Sequence, residues 1–278
     1  MNMARNTKPL VFIDTNIFLD FYRTEVKPGL SLLKHVESVL DSLILTDQVE
    51  MEFLKNRQWE IVAALKALKP PETPQVVPAY LAESKAASGI AKGQGQIKQQ
   101  ITKLRKRLAN VLDNPSVHDP VFKTVRLVFA HESSLNLKFE DAKQTEVFER
   151  AVRRFQRGMP PRKKGDTSIG DAINWEWIVE SAKATGRDVI VVSRDGDYGI
   201  IFNDKSYLND WLTQEFRKRV PGNRRIEYTR SLTKALRRLS VKVSPPEELE
   251  EQRIIAKHSG SLGFGSLAAL WREVAEVY

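Results

Sequence analysis

The sequence predicts an α/β protein with a central parallel sheet, on three observations: short apolar runs, helical periodicity between the runs, and acidic residues at strand ends. The first strand is predicted at 10–14, where four apolar residues lead directly into Asp14. An uninterrupted apolar run of this length is typical of a buried parallel strand. An acid that follows such a strand lies at its carboxyl end, where open α/β sheets bind their ligands. Asp14 is therefore the first candidate functional residue.

The next elements continue this alternation. Apolar residues at helical spacing predict a helix over 28–43, and 43–45 is a second short apolar strand. Thr46 or Asp47 then caps a long helix to about residue 68, which a pair of prolines ends. The order strand, helix, strand, helix is the one that a parallel sheet requires.

Strand signals disappear between 72 and 157, where only helical patterns remain. The first part of this segment is rich in basic residues, namely Lys98, Lys103, Arg105, Lys106 and Arg107. We interpret the segment as a helical insertion. Its charge fits a nucleic-acid contact, and it equally fits the solvated face of an ordinary helix.

The α/β pattern resumes at 167 with a helix to about 184, followed by the strongest apolar strand of the chain at 188–192. A helix at 207–219, a strand at 225–228 and a helix at 232–239 come next, and a proline pair then opens a tail with helical patterns at 247–257 and 267–277. The predicted domains are a core (1–70 and 158–240), a helical basic insertion (71–157) and a C-terminal helical tail (241–278).

The amino-acid composition limits which kinds of catalytic and metal-binding site the chain can form. The chain has 278 residues, of which 41% are hydrophobic, so it is expected to be globular. It has no cysteine and four scattered histidines, which excludes disulfides, thiol nucleophiles and thiolate zinc sites and leaves oxygen ligands for any metal. A net charge of +9 favours a polyanionic partner. The apolar runs fall short of the ~18 residues of a membrane helix, so we expect a cytoplasmic protein with no membrane contact.

Acidic residues lie at element ends in four regions of the sequence. The candidates are Asp14, then Glu50 and Glu52, then Asp166 and Asp171, and finally Asp195 and Asp197. Each lies where a strand's carboxyl end meets a helix start, so all can converge on one edge of the sheet. Carboxylates packed together repel one another unless a divalent cation neutralises them, and oxygen ligands favour Mg²⁺ or Mn²⁺. Any one of these acids alone is more typical of a helix cap.

The segments that carry these acids resemble the motifs of PIN-domain nucleases, in particular larger bacterial PIN-like proteins with an insertion. They are Phe12-Ile13-Asp14-Thr15-Asn16, Val49 to Phe53, Gly170-Asp171-Ala172-Ile173, and Val191-Val192-Ser193-Arg194-Asp195. Order and spacing match once the insertion is allowed for, over roughly 8–70 and 160–240. The resemblance implies a three-layer fold and a metal-dependent hydrolase of phosphodiester bonds. The expected activity is that of an endoribonuclease on single-stranded or structured RNA, with a toxin or phage-defence role as one setting.

The resemblance also implies roles for individual residues. The catalytic and metal-binding acids would be Asp14, Glu52, Asp171 and Asp195, with Asn16 and Ser193 in support. Three further acids stay open as ligands. Helical periodicity favours Glu50 over Glu52, Asp197 could replace or assist Asp195, and Glu176, five residues after Asp171, is a candidate outer ligand.

Mg²⁺ or Mn²⁺, as one ion or two, would activate a water for attack on the phosphodiester and offset charge on the leaving oxygen. The expected partner is nucleic acid, with RNA favoured over DNA. The residues expected to grip its phosphates are Arg162, Lys163 and Lys164 before the third acidic region, and Lys103, Arg105, Lys106 and Arg107 of the insertion. An inhibitory or defence-system protein partner and a homo-oligomer are left open.

Two other functions compete with this interpretation. A haloacid-dehalogenase-type phosphatase also begins with a strand ending in an acid, but it requires a second Asp two positions later, where this chain has Asn16. A nucleic-acid-binding module without catalysis is the other alternative, although all four acidic positions are filled.

Overall fold

A computed structural model describes residues 8–70, 77–162, 168–203 and 205–259 of the chain. The strands are β1 (Leu10–Ile13), β2 (Leu43–Thr46), β3 (Asn136–Leu137), β4 (Val189–Val192), β5 (Gly199–Phe202), β6 (Lys205–Leu208) and β7 (Ile226–Thr229). The first helices are α1 (Thr15–Asp20), α2 (Lys27–Glu37), α3 (Asp47–Ala67), α4 (Lys85–Asp113), α5 (Pro115–His118) and α6 (Pro120–Ala130). The remaining helices are α7 (Ala142–Gln156), α8 (Gly170–Thr185), α9 (Asp210–Arg219), α10 (Leu232–Arg238) and α11 (Pro245–Ser259).

Five parallel strands form the central sheet in the order β3-β2-β1-β4-β7. β1 lies between β2 and β4, and every residue of β1 is buried. The register pairs Ile13 with Val192, so β1 and β4 end side by side. The residues that follow these two strands, Asp14 and Ser193, are therefore brought together at the carboxyl edge of the sheet.

Helices flank the sheet in the three-layer arrangement that the sequence predicts, and this fold class is confirmed. α8 packs on β2, and α7 and α9 pack against α8. α10 packs on β4 and β7 and also contacts α2 and α11. α8 is buried along almost its whole length, with the Trp175 side chain fully enclosed, because it lies between the sheet and α7.

The chain divides into two compact units. One comprises Met1–Leu54 with Thr124–Tyr278 and contains the sheet; the other is Lys55–Lys123. Within the second unit, the buried Arg57 donates 2.7 Å to Asp119 and 2.6 Å to the Val111 carbonyl. The domain bounds predicted from the sequence, with 71–157 as the insertion, differ from these units and stay a prediction.

Some elements were not predicted. α1 and β3 are too short to produce a periodic pattern, and β5 with β6 forms a separate antiparallel hairpin. The hairpin was missed because β5 is apolar on both faces, with Ile200 and Phe202 largely exposed, so the alternation typical of a surface strand is absent. The helix predicted at 207–219 begins only at Asp210, where the Asn209 side chain caps the Trp211 amide. The helix predicted at 267–277 lies outside the described residues.

Across the described part of the chain, no helix has the combination of length and apolar character needed to cross a membrane.

Candidate metal centre

Asp14 lies at the end of β1 and is almost completely buried. Its Oδ1 accepts a 2.7 Å hydrogen bond from the Thr15 amide, because Asp14 is the N-cap of α1. Its Oδ2 accepts hydrogen bonds from Asn16 Nδ2 at 2.7 Å and from Ser193 Oγ at 2.5 Å. Both carboxylate oxygens are therefore oriented by neighbours that the strand ends supply.

Glu52 reaches the same edge from the second turn of α3. Thr15 Oγ1 donates 2.9 Å to its Oε2, and Gln48 Nε2, one turn earlier, donates 2.6 Å to its Oε1. Gly170, which opens α8, lies directly against these two side chains. A Cβ at Gly170 would come within 2.5 Å of Glu52 Oε1 and 2.6 Å of Gln48 Nε2. Glycine at this position lets the start of α8, and Asp171 with it, approach Glu52 closely.

The turn after β4 completes the arrangement. Ser193 Oγ accepts from the Asp195 amide at 3.0 Å while it donates to Asp14. Asn16 Oδ1 accepts from the Arg194 amide at 3.0 Å, and the Tyr228 hydroxyl donates 2.9 Å to the Asp195 carbonyl. The backbone at 193–195 is thus tied both to the end of β1 and to β7.

The charges of these acids act on one another. Burial raises the pKa of Asp14 to about 7; the hydrogen bond from Ser193 opposes this rise, and the charges of Asp195 and Glu52 add to it. Burial also raises the pKa of Tyr198, followed by the charges of Asp171, Asp14, Glu52 and Asp195. The charges of all four carboxylates therefore act on the same buried group, the Tyr198 hydroxyl. We call Asp14, Glu52, Asp171 and Asp195 the acid site.

The acid site fits a divalent cation, since its four side chains offer only oxygen atoms as ligands. The carboxylates also repel one another when ionised, as the effect of Asp195 and Glu52 on the pKa of Asp14 shows, and a cation would offset this repulsion. The Tyr198 hydroxyl, buried beside these acids, has no hydrogen-bond partner within the part of the chain that the structure describes. Among those same residues, no group of three or more His, Cys, Asp or Glu side chains is arranged as a ready ligand set. The residues suit a hard metal ion by type and charge.

The two remaining sequence candidates near the acid site, Glu50 and Asp197, differ in their surroundings. Glu50 forms an ion pair with Arg126, so Glu52 and not Glu50 joins the other acids. Helical periodicity favoured Glu50 because it does not register the side-chain hydrogen bonds from Thr15 and Gln48 that hold Glu52. Asp197 lies half-buried in the loop after Asp195 and stays a candidate.

Glu176 is enclosed by arginines instead of facing the acids. It forms ion pairs of 2.7 Å with Arg219, 3.0 Å with Arg154 and 3.2 Å with Arg150. Burial opposes its ionisation, but the hydrogen bond and charge of Arg219 and the charge of Arg154 lower its pKa. The outer-ligand hypothesis for Glu176 therefore finds no support, and the network joins α7, α8 and α9.

The basic candidates are described only in part. On α4, which buries none of its residues, Lys103, Lys106 and Arg107 are exposed, whereas Arg105 donates to the carbonyls of Leu65 and Leu68 at the end of α3. Arg162 lies over the Phe155 ring, 4.3 Å from its centre, and donates to the Phe155 carbonyl. Lys163, Lys164 and Asp166 lie outside the described residues.

Sequence reasoning missed several residues around the acid site. Gln48 carried a usable signal, since it lies one helical turn before Glu52. Thr15 and Gly170 lie inside quoted motifs without having been assigned a role. Tyr198 and Tyr228 carried no signal, because only the folded chain brings their rings to the acids.

Comparison with protein families gives one finding. A family model described as the PIN domain matches residues 11–198, more than half of the chain, which confirms the predicted resemblance. The match includes the acid site and ends before α9, β7, α10 and α11. Comparisons with curated proteins and with solved structures found no match.

Proposed function

This chain belongs to the PIN-domain family, whose members are generally metal-dependent nucleases, and on that premise we propose that it hydrolyses phosphodiester bonds with Mg²⁺ or Mn²⁺ at the acid site. The observation that carries the proposal is the convergence of Asp14, Glu52, Asp171 and Asp195 from four separate regions on one sheet edge. They lie beside Tyr198, whose pKa is raised first by burial and then by the charges of these four acids. The proposed activity is endonucleolytic cleavage of single-stranded or structured RNA.

Each residue of the site has a part in this proposal. The four carboxylates would hold the metal, which when bound supplies an activated water and offsets charge on the leaving oxygen. Ser193 and Asn16 orient Asp14 through the hydrogen bonds that they donate to its Oδ2. Thr15 and Gln48 orient Glu52 in the same way, one oxygen each. The scaffold thus prepares the carboxylates for a metal by restricting their rotation.

Substrate grip is assigned to the basic residues. The net charge of +9 and the exposed Lys103, Lys106 and Arg107 of α4 favour a polyanion. The preference for RNA, and a role as toxin or phage-defence effector, are extensions of the family resemblance. A protein inhibitor would fit such a role, since a nuclease that acts on cellular RNA must be restrained.

A second candidate is a nucleic-acid-binding module without catalysis. The observation in its favour is that, within the described residues, no three acidic or histidine side chains form a ready ligand set. The four acids would then lie at the carboxyl edge of the sheet without a catalytic role.

One experiment separates the two candidates. Purified protein is incubated with labelled single- and double-stranded RNA and DNA, with Mg²⁺, Mn²⁺ or a chelator. We expect cleavage of RNA that requires metal and is lost in Asp14→Asn. The matched control is Glu50→Gln, which removes a carboxylate that pairs with Arg126 outside the acid site. Binding without cleavage under every condition would favour the binding module.

A further inference from the structure

Arg194 is a buried arginine that lies in the chain between Ser193, which donates to Asp14, and Asp195, the fourth acid of the acid site. Its Nε donates 3.0 Å to Asp20 Oδ2 at the end of α1, and its Nη2 donates 3.2 Å to Glu251 Oε1 on α11. All three side chains are buried, with exposed fractions of 5% or less. The guanidinium therefore bridges the first and last helices of the described core at the turn that carries the fourth acid.

Glu251 is itself held rigidly. Its Oε2 accepts from the Thr233 amide at 3.0 Å, from Thr233 Oγ1 at 2.7 Å and from Ser231 Oγ at 2.9 Å. Its Oε1 accepts from the Leu232 amide at 2.5 Å in addition to Arg194. A carboxylate at a helix start satisfies amides that would otherwise be unpaired, so Glu251 caps α10 and anchors Arg194 at the same time.

The backbone of Arg194 continues this link into the acid site. Its amide donates 3.0 Å to Asn16 Oδ1, and Asn16 Nδ2 donates 2.7 Å to Asp14 Oδ2. The adjacent Asp195 amide donates to Ser193 Oγ, which donates to Asp14. An unbroken series of hydrogen bonds thus runs from α11 through Arg194 to the carboxylate of Asp14.

We propose that Arg194 and Glu251 are positioning residues of the acid site, and that α11, which lies beyond the residues matched by the family, is part of the catalytic unit. The proposal rests on the metal-dependent activity proposed above. Without the Glu251 charge, Arg194 keeps its ion pair with Asp20 but loses the charged acceptor of its Nη2, so the guanidinium is held from one side only. Movement of Arg194 displaces its own amide and that of Asp195, and the acid site loses its orientation.

The test compares Glu251→Gln with Glu247→Gln. Glu247 lies on the same helix and is also buried, but it accepts from the Ser244 amide at 2.7 Å and pairs with His35 at 3.1 Å, away from Arg194. Arg194→Lys is a second test variant, which keeps the positive charge and lacks the fork that reaches both acids. Three measurements are made below the melting temperature: amide hydrogen exchange at 193–198 in metal-free protein, Mn²⁺ affinity, and kcat with KM on RNA.

We expect Glu251→Gln and Arg194→Lys to exchange faster at 193–198 and to bind Mn²⁺ about tenfold more weakly, in the range found for outer partners of metal ligands. kcat should fall more than KM changes. Glu247→Gln should lower the melting temperature and leave exchange at 193–198 and Mn²⁺ affinity as in the wild type.

Wild-type exchange and Mn²⁺ affinity in the two test variants would overturn the proposal. Equal effects of Glu251→Gln and Glu247→Gln would also overturn it, since they would mean that only the docking of α11 matters. If the wild type neither binds Mn²⁺ nor cleaves RNA, the proposed function fails. The exchange measurement on metal-free protein then still decides whether Arg194 and Glu251 order the turn.

Discussion

Ser193 Oγ donates a 2.5 Å hydrogen bond to Asp14 Oδ2, although the two residues lie 179 positions apart in the chain. The bond exists because β1 and β4 are adjacent parallel strands that end in register, with Ile13 opposite Val192. It lowers the pKa of Asp14, but burial outweighs it, and the carboxyl remains hard to ionise without a compensating positive charge. We therefore expect the ionisation of Asp14 to depend on pH and on the binding of a cation.

The contribution of Asp14 to the stability of the metal-free protein should fall as the pH rises from about 4 to about 7. Asp14 has an ordinary pKa of 3.8 in the unfolded chain and one of about 7 when folded, so in this window the folded state binds a proton that the unfolded state has released. Stability decreases with pH wherever the folded state binds more protons. Urea unfolding with a chelator should show that the stability of the wild type, measured relative to that of Asp14→Asn, decreases across this window. A difference between the two proteins that stays constant with pH would contradict the prediction.

Removal of a carboxylate from the acid site should abolish cleavage without unfolding the protein. Asp14→Asn and Asp171→Asn each remove one negative charge from a cluster of mutually repelling carboxylates, so the fold should tolerate them. Loss of a residue that only supports a metal ligand lowers metal affinity or activity ~10–100-fold, and loss of a direct ligand should lower it at least as much. Rates on RNA with Mn²⁺ measure the loss, and Glu50→Gln is the control. Turnover near the wild-type rate in either variant would exclude that residue as a ligand.

Divalent metal should raise the melting temperature of the wild type. An ion that binds only the folded state stabilises it by about 2.7 kcal/mol at a hundredfold excess over its Kd. The double variant Asp14→Asn/Asp171→Asn should show no such rise, because it lacks two carboxylates of the acid site. Calorimetry with millimolar Mn²⁺, Mg²⁺ or a chelator makes the measurement. Equal melting curves of wild type with and without metal would favour the binding module.

Gly170→Ala should lower activity more than stability. The added Cβ would meet the ends of the Glu52 and Gln48 side chains at 2.5 and 2.6 Å, and these flexible ends can move aside at little cost to the fold. Their movement shifts a carboxylate of the acid site, so kcat should fall at least tenfold. Gly95→Ala is the matched control, because nothing lies within 4 Å of a Cβ there. Full activity in Gly170→Ala would mean that Glu52 tolerates displacement.

Neutralising basic residues of α4 should weaken nucleic-acid binding and leave the chemistry unchanged. The variant is Lys103→Gln/Lys106→Gln/Arg107→Gln, which spares Arg105 because that residue donates to the carbonyls of Leu65 and Leu68. Each lost contact to a single strand removes ~0.7 from the slope of log K against log salt. The control neutralises Lys183, Lys218 and Lys242, which are equally exposed. An unaltered salt slope would identify the α4 charges as a solvated face.

The sequence predicted the strands that precede Asp14 and Asp195, and apolar strands that end in acids constrain where those acids lie. The position of Asp14 follows from β1 alone, and its convergence with Asp195 follows once both strands are parallel and adjacent. The choice between Glu50 and Glu52 could not be made from periodicity. It depends on Thr15 and Gln48, whose side chains hold Glu52 only in the folded protein.

Long-range polar networks were beyond the reach of sequence patterns. The Arg194 and Glu251 pair joins residues 57 positions apart, and no period or motif relates them. The β5–β6 hairpin was missed for a different reason, since β5 is apolar on both faces and lacks the alternation that is typical of an exposed strand.

The sheet does not end where the family match ends, and this affects how the protein should be shortened for laboratory work. β7 lies 28 residues beyond the match and pairs with all four residues of β4. A fragment cut at residue 198 would turn β4, wholly apolar, into an open edge that other chains can join. We therefore expect a fragment that ends with the family match to aggregate, whereas one that extends through α11 retains β7 beside β4.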